Sequence, residues 1–431
     1  MTCDGWKARI PFGMRILHVI QRYWPCVGGS EKFFQEISER FAREGHEVCV
    51  ATTDAGDPEY FWLSNKQKVA HLKDVHNGVR IQRFPVKHIP LSEVVYPRMR
   101  HLIAWMSKIP VDTSRILGLA SRITPYVPAL RRELESTQEY YDIVHAGNVL
   151  FEPLVTASLR YARRRGIPFV LTPWVHLGEK EDDSVRKNYT NRYQMHLIAA
   201  SDRIICQTGI ERDYLARWGI PADKLVTIGP GVNPHEVLGG DADRFRQRYG
   251  IQDPIVFFIG AQSFDKGVRH LVEAMKLVWG SGRKARLVLA GPVTQHFAEY
   301  FAALPDDVRR NCLQLGHVSE DVKKDLLAAG DVFAMPSRVD SFGITYLEAW
   351  LYRKPVIGAL AGGVPEVIDH EKDGLLVQFG NEREIARSIE TLLDDSALSR
   401  ALGDRGFDKV MSEHTWEIKF ELIRNLYLEI C

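Results

Sequence analysis

The sequence predicts an α/β protein built from two doubly wound, Rossmann-like parallel sheets facing each other across a cleft. Three observations carry this. Strand-like apolar runs alternate with longer helical patterns almost throughout, a Gly/Pro-rich stretch separates two such series, and 431 residues leave room for two domains. Strands that alternate with helical patterns imply βαβ units, and those units build parallel sheets.

Residues 15–20 read as the first strand. A Gly-bearing loop over 25–30 and an amphipathic helix over 31–44 follow, with Gly45-His46 ending the helix before a strand at 47–52. Further strands are expected at 143–145, 169–172 and 203–207, then at 255–259, 286–290, 332–335 and 355–357. Ile228-Gly-Pro-Gly-Val-Asn-Pro234 marks the boundary, giving domains over 14–230 and 231–414. Within the first, 92–132 is an insertion that fits no strand–helix unit. Residues 415–431 form a last helix crossing back to the first domain, with Trp416, Ile418, Phe420, Ile423, Leu426 and Leu428 as its apolar residues.

Composition excludes several classes. With 45% hydrophobic and 26% charged residues the chain is an ordinary globular one, neither disordered nor a disulfide scaffold. Its 56 basic and 55 acidic side chains give no global attraction to nucleic acid or membrane. Six dispersed cysteines suit reduced thiols in a cytoplasmic protein better than a zinc or redox site. The first thirteen residues lack the apolar core of a signal peptide, and no apolar run reaches the roughly 18–20 residues of a membrane span. Residues 97–132 hold seven Arg/Lys and one acid, Asp112, interleaved with apolar residues. That pattern fits weak peripheral contact with an anionic membrane face as well as it fits a solvated basic surface.

The most specific segment runs from Met335 to Trp350, Met-Pro-Ser-Arg-Val-Asp-Ser-Phe-Gly-Ile-Thr-Tyr-Leu-Glu-Ala-Trp. A strand ends at Pro336 and a helix starts near Ser341–Gly343, whose unpaired N–H groups and dipole suit an anion such as a diphosphate. Asp340 stands at its mouth and Glu348 about two turns in, placed to accept hydrogen bonds from sugar and ribose hydroxyls. The plainer reading is a helix cap and a surface charge. Asp241-Ala-Asp243 has metal-binding DxD spacing, but helix capping explains it and no other cluster suggests a metal. Gly28-Gly29-Ser30 lacks the GxGxxG spacing of a dinucleotide site, and there is no P-loop.

Asp340 and Glu348, enclosing Ser-Phe-Gly, resemble the acidic motif of retaining glycosyltransferase family 4 (glycosyltransferase group 1), which has the GT-B fold. Other segments resemble the family in the same order. They are Pro25-Cys-Val-Gly-Gly-Ser-Glu31, the run from Gly260 to Gly267 ending in Asp-Lys-Gly, Gly362-Gly-Val-Pro-Glu-Val-Ile368 and Gly374-Leu-Leu-Val377. The resemblance implies a hexosyltransferase-type enzyme moving a sugar from a nucleoside-diphosphate donor, UDP-sugar favoured over GDP-mannose, to a glycan, lipid-linked or small-molecule acceptor. It implies a front-face reaction with no metal and no cofactor. Lys266 would neutralise the departing diphosphate, Asp340 would hold donor-sugar hydroxyls, and His176 would contact the sugar or a phosphate. Glu348 would bind the ribose and Val318 would lie at the base. Gly28, Gly29 and Gly260 would let backbone approach the phosphates, while Ser341, Phe342, Gly343 and Ile344 complete the donor site.

Two residues depart from the family pattern. Asp340 replaces the usual Glu, and Ala261 stands where Arg is common, a loss that Arg338 or another basic residue could offset. A GT-B sugar-nucleotide epimerase and a nucleotide-sugar-binding protein without turnover are the alternatives.

Overall fold

The computed structural model describes residues 13–431 apart from 27, 108, 110–112, 180 and 183–184. Two sheets organise it. The first contains β1 (Arg15–Val19), β2 (Glu47–Thr53), β3 (Lys73–His76), β4 (Val79–Phe84), β5 (Ile143–Gly147), β6 (Phe169–Thr172), β7 (Arg203–Cys206) and β8 (Leu225–Thr227). Their spatial order is β3-β4-β2-β1-β5-β6-β7-β8. All pairs are parallel except the β3–β4 hairpin, which lies at one edge.

The second sheet contains β9 (Ile255–Ile259), β10 (Arg286–Ala290), β11 (Cys312–Gly316), β12 (Val332–Met335), β13 (Val356–Ala359) and β14 (Leu375–Val377). Its order is β11-β10-β9-β12-β13-β14, and every pair is parallel. β9 reads IVFFI and is buried along its whole length, the continuous apolar run required of a strand covered by helices on both faces. The strand order reverses between β1 and β5 in one sheet and between β9 and β12 in the other. Ligands of doubly wound sheets bind at such switch points, outside the strands' carboxyl ends.

The insertion is helical, with helices at Ser92–Met106, Ser114–Ala120 and Pro128–Ser136. Its first helix is tied to the helix Glu152–Arg165, which follows β5, by Arg100, whose Nη1 meets both carboxylate oxygens of the fully buried Glu152 at 2.7 and 2.8 Å. Lys108 and Asp112 of the basic segment lie outside the described residues.

The chain crosses between the sheets twice, and the crossings touch. Val232 N–H donates to His414 O at 2.8 Å, and Trp416 N–H donates to Val232 O at 3.0 Å. Gly231 is pressed against this contact, since a Cβ there would lie 2.8 Å from the Trp416 nitrogen. The final helix, Trp416–Ile430, begins at the Thr415 cap and buries Trp416, Phe420, Ile423, Leu426 and Tyr427 among Phe33, Phe34 and Phe41 of the first sheet's core. Leu428, expected on that apolar face, is exposed; the adjacent Tyr427 takes the buried place. Tyr427 Oη bridges His18 Nε2 at 3.0 Å and His145 Nδ1 at 2.6 Å. The other ring nitrogens meet Ser38 Oγ and Thr172 Oγ1, both at 2.7 Å. Burial holds both imidazoles neutral, His18 down to about 3, so each ring has one donor and one acceptor to fill the chain.

Candidate active site

The carboxyl ends of β1, β5, β6 and β7 face those of β9 and β12 across a cavity of about 340 Å³. One wall carries Gly29, Ser30, Asn148, Trp174, His176 and Gln207. The other carries Gly260, Ala261, Lys266, Asp340 and the run Ser341–Thr345. Two residues at adjacent strand ends, Asn148 (φ 66°) and Trp174 (φ 50°), hold left-handed backbone although neither is glycine. Such strain concentrates where structure serves a site.

Lys266 lies in a short 3₁₀ turn, and the αL glycine after it, Gly267 (φ 76°), leaves no space for a Cβ: one would sit 2.1 Å from Pro336 O. The turn is thereby pressed onto the loop that follows β12. Lys266 Nζ meets Asp340 Oδ1 at 2.5 Å. Burial pushes the Asp340 carboxyl upward, but the Lys266 ammonium outweighs it and holds the group below its usual range. Asp340 Oδ2 is buried and has no hydrogen-bond partner among the described residues.

His176 donates from Nδ1 to Val339 O, joining the two walls. Burial lowers its pKa, with the Lys266 ammonium acting in the same direction against the Val339 carbonyl. The ring is therefore neutral with a bare Nε2, which accepts a proton from a hydroxyl and gives nothing to a phosphate oxygen.

The helix after Asp340 begins at Ile344, with Gly343 (φ 92°) as its N-cap, and ends at Leu351. Ile344 and Thr345, its first two residues, line the cavity with amides that have no acceptor within the helix, whereas Tyr346 N–H already donates to Gly343 O at 3.0 Å. Across the gap, a Cβ on Gly29 would find only Ile344 Cδ1, at 3.9 Å, so this glycine borders open space. Gly28 lies behind it, where a Cβ would run into Glu31 Oε2 at 2.3 Å. Its place is explained by packing against the buried Arg22–Glu31 ion pair.

Glu348 lies about one turn into the helix, closer to its start than the spacing suggested. Its Oε1 accepts from Lys323 at 3.1 Å. Val318, half-buried, packs on the second sheet's core just before the helix that carries Lys323. Gly28, Val318 and Glu348 thus stand outside the cavity lining, whereas Lys266, Asp340, His176, Gly29, Gly260, Ser341, Phe342, Gly343 and Ile344 line it together.

Arg338 does not replace the cation missing at Ala261. Its guanidinium meets Asp265 at 2.8 Å and both Glu179 and Asp182 at 3.2 Å, between the rings of Phe264 and Phe379. It joins the loop after β6 to the loop after β12 and is absent from the lining. Asp241, the other doubtful motif, caps the helix Ala242–Tyr249 by accepting from Arg244 N–H at 2.9 Å.

Residues 28–231 match the glycosyl transferase 4-like domain, and residues 241–409 match the glycosyl transferases group 1 domain. The protein is a glycosyltransferase. An uncharacterized glycosyltransferase of Methanocaldococcus jannaschii is 26% identical over 424 residues, covering 94% of this chain and 95% of its own. The sulfoquinovosyl transferase of Arabidopsis thaliana is 23% identical over 93% of this chain and 70% of its own. In fold, the glycosyltransferase is similar to Anabaena HepE, solved with UDP-glucose, at a TM-score of 0.70 and 18% identity. That likeness covers 96% of this chain and 100% of HepE. The two sheets and their facing arrangement are those of GT-B glycosyltransferases.

Sequence reasoning missed Asn148, Trp174 and Gln207 on the first wall of the glycosyltransferase cleft. Single polar or aromatic residues after a strand carry no motif. The only signal available was their position at predicted strand ends.

Proposed function

We propose that this glycosyltransferase moves a sugar from a UDP-sugar to a hydroxyl acceptor with retention of configuration, by a front-face reaction that needs no metal. The observation that carries the reading is the convergence of the Lys266 ammonium and the first-turn amides after Gly343 on one cavity. Together they supply the positive potential a departing diphosphate requires. Without donor, Asp340 satisfies the ammonium. A diphosphate competes for it and frees the Asp340 carboxylate for sugar hydroxyls.

The anomeric carbon–oxygen bond to the β-phosphate then breaks as the acceptor oxygen bonds to the same face. The acceptor's proton passes to the leaving phosphate oxygen. The bare Nε2 of His176 receives a sugar hydroxyl, and Glu348 with Val318 serves the nucleoside end. A UDP-sugar is favoured over GDP-mannose, and HepE, of the same fold, was solved with UDP-glucose.

The test is a thermal-shift and product screen with UDP-glucose, other UDP-sugars and GDP-mannose, with and without EDTA. The expected result is stabilisation by a UDP-sugar and transfer to a sugar acceptor at an unchanged rate in EDTA. Loss of activity in EDTA with recovery on adding magnesium sinks the metal-free mechanism. An epimer formed without acceptor sinks the transferase reading.

The insertion supports a weak peripheral membrane contact as part of the same proposal. No described helix is long and apolar enough to cross a membrane. Trp105, Ile116 and Leu119 are nevertheless 64%, 55% and 58% exposed on the first two helices of the insertion, which also carry Arg98, Arg100 and Arg115. At low salt the protein should co-sediment with phosphatidylglycerol vesicles and leave them as salt screens the charges. Equal recovery with phosphatidylcholine, or none with either, sinks the contact.

A further inference from the structure

Gln207 follows the last residue of β7, lines the cleft and is only 2% exposed. Its main chain is firmly held, because its N–H donates to Glu211 Oε2 at 2.6 Å. The other oxygen of that buried carboxylate accepts Val175 N–H at 2.7 Å. Glu211 therefore fastens the loop bearing Gln207 to the loop bearing His176. Burial pushes its carboxyl up to about 7 against the two amide bonds, which favour the charged form.

The Gln207 side chain is not held in this way. Its Nε2 is shut off from solvent and has no hydrogen-bond partner among the described residues. Buried donors in folded proteins are nearly always satisfied, so an orphan on a residue that lines a ligand cavity points to a partner that arrives with the ligand as the side chain turns toward it. The opposite wall offers the complement, the unpartnered acceptor Asp340 Oδ2. A hydroxyl group, which both donates and accepts, meets both needs. Gln207 also adjoins the donor side. A Cβ built on Gly229 would lie 2.9 Å from Gln207 O and 2.6 Å from the Phe342 ring, just before the helix at Ile344.

We propose that Gln207 contacts substrate, its side-chain amide donating a hydrogen bond to an oxygen of the bound nucleotide sugar, with Glu211 as the positioning residue. This rests on the nucleotide-sugar reading above. The oxygen belongs either to the transferred sugar or to the diphosphate.

Calorimetry on Gln207→Leu, close in size and lacking the amide, separates these sources. UDP-glucose should bind about tenfold more weakly, the equivalent of one neutral hydrogen bond. A matching loss for UDP assigns the oxygen to the diphosphate; an unchanged affinity for UDP assigns it to the sugar. Without ligand the variant should melt no lower than the wild type, because it removes an unsatisfied buried donor. Glu211→Gln should also weaken UDP-glucose, and the double variant should bind no worse than Gln207→Leu alone, since the second change acts through the first.

A lowered melting point with unchanged donor affinity makes Gln207 structural and overturns the inference. A higher acceptor KM at constant donor affinity overturns it as well. If the wild type binds GDP-mannose and not UDP-glucose, the same comparison is made with GDP-mannose and GDP. Binding of none of these probes by the wild type defeats the nucleotide-sugar reading itself, whereas wild-type binding that Gln207→Leu leaves intact defeats only this inference.

Discussion

Lys266→Ala is expected to lower kcat by about 100- to 1,000-fold, the usual cost of removing one preorganised group that meets developing charge. The reason is local. Ala261 provides no cation and the Arg338 guanidinium is shared among three carboxylates, so among the described residues Lys266 is the one Lys or Arg in the cavity lining. Charge on the leaving oxygen grows toward the transition state, so the loss should fall on kcat more than on KM. The substitution also leaves Asp340 without the partner that keeps its carboxyl ionised, and burial then drives its pKa upward. Steady-state kinetics with the UDP-sugar identified by the screen measures both parameters. Turnover within a few-fold of wild type would show that the helix amides alone carry the leaving group.

Trp416→Ala should destabilise the first lobe by about 3–5 kcal/mol, the range for deleting a fully buried large aromatic. Trp416 is 1% exposed and packs edge-on against Phe33, with ring centroids 5.6 Å apart. It is the first residue of the helix that returns to that lobe, so the cavity opens where the helix is anchored. Two lobes seldom unfold as one, so urea titration should be followed by a probe of each. The transition of the first lobe should move to lower urea while that of the second stays in place. Coincident, unshifted transitions would mean that the helix is dispensable to the core it enters.

Much of the architecture was legible because long buried strands leave an unmistakable pattern. β1, β2, β9 and β10 are nearly continuous apolar runs followed by helical periodicity, and they lie within a residue of their expected bounds. β3, β4, β8, β11 and β14 escaped: β4 (VRIQRF) and β11 (CLQLG) are of ordinary length, but charged or polar residues break their apolar runs, and the rest are short. β3 reads KDVH, exposed and half-buried by turns at a sheet edge, and β14 has only three residues. Neither is long enough to display a period.

The candidate site divides along similar lines. Lys266 and Asp340 stand in recognisable local motifs, but their ion pair joins residues 74 positions apart and no local pattern encodes it. The ion pairs of Arg338 escaped for a related reason. Its role depends on Glu179 and Asp182, which arrive from the other sheet's loops. Gln207 and Asn148 were invisible because their meaning comes from which strand ends the topology places side by side.

The doubled passage between the lobes has a mechanical consequence. Val232 and the segment from His414 to Trp416 are laced by two main-chain hydrogen bonds, so both cords cross at one narrow waist, with Gly231 wedged flat against it. Cords fastened at a common point resist sliding and stretching of the lobes, while pivoting about that point leaves both at their natural length. The waist is therefore the place where the lobes can turn with the least strain on either crossing.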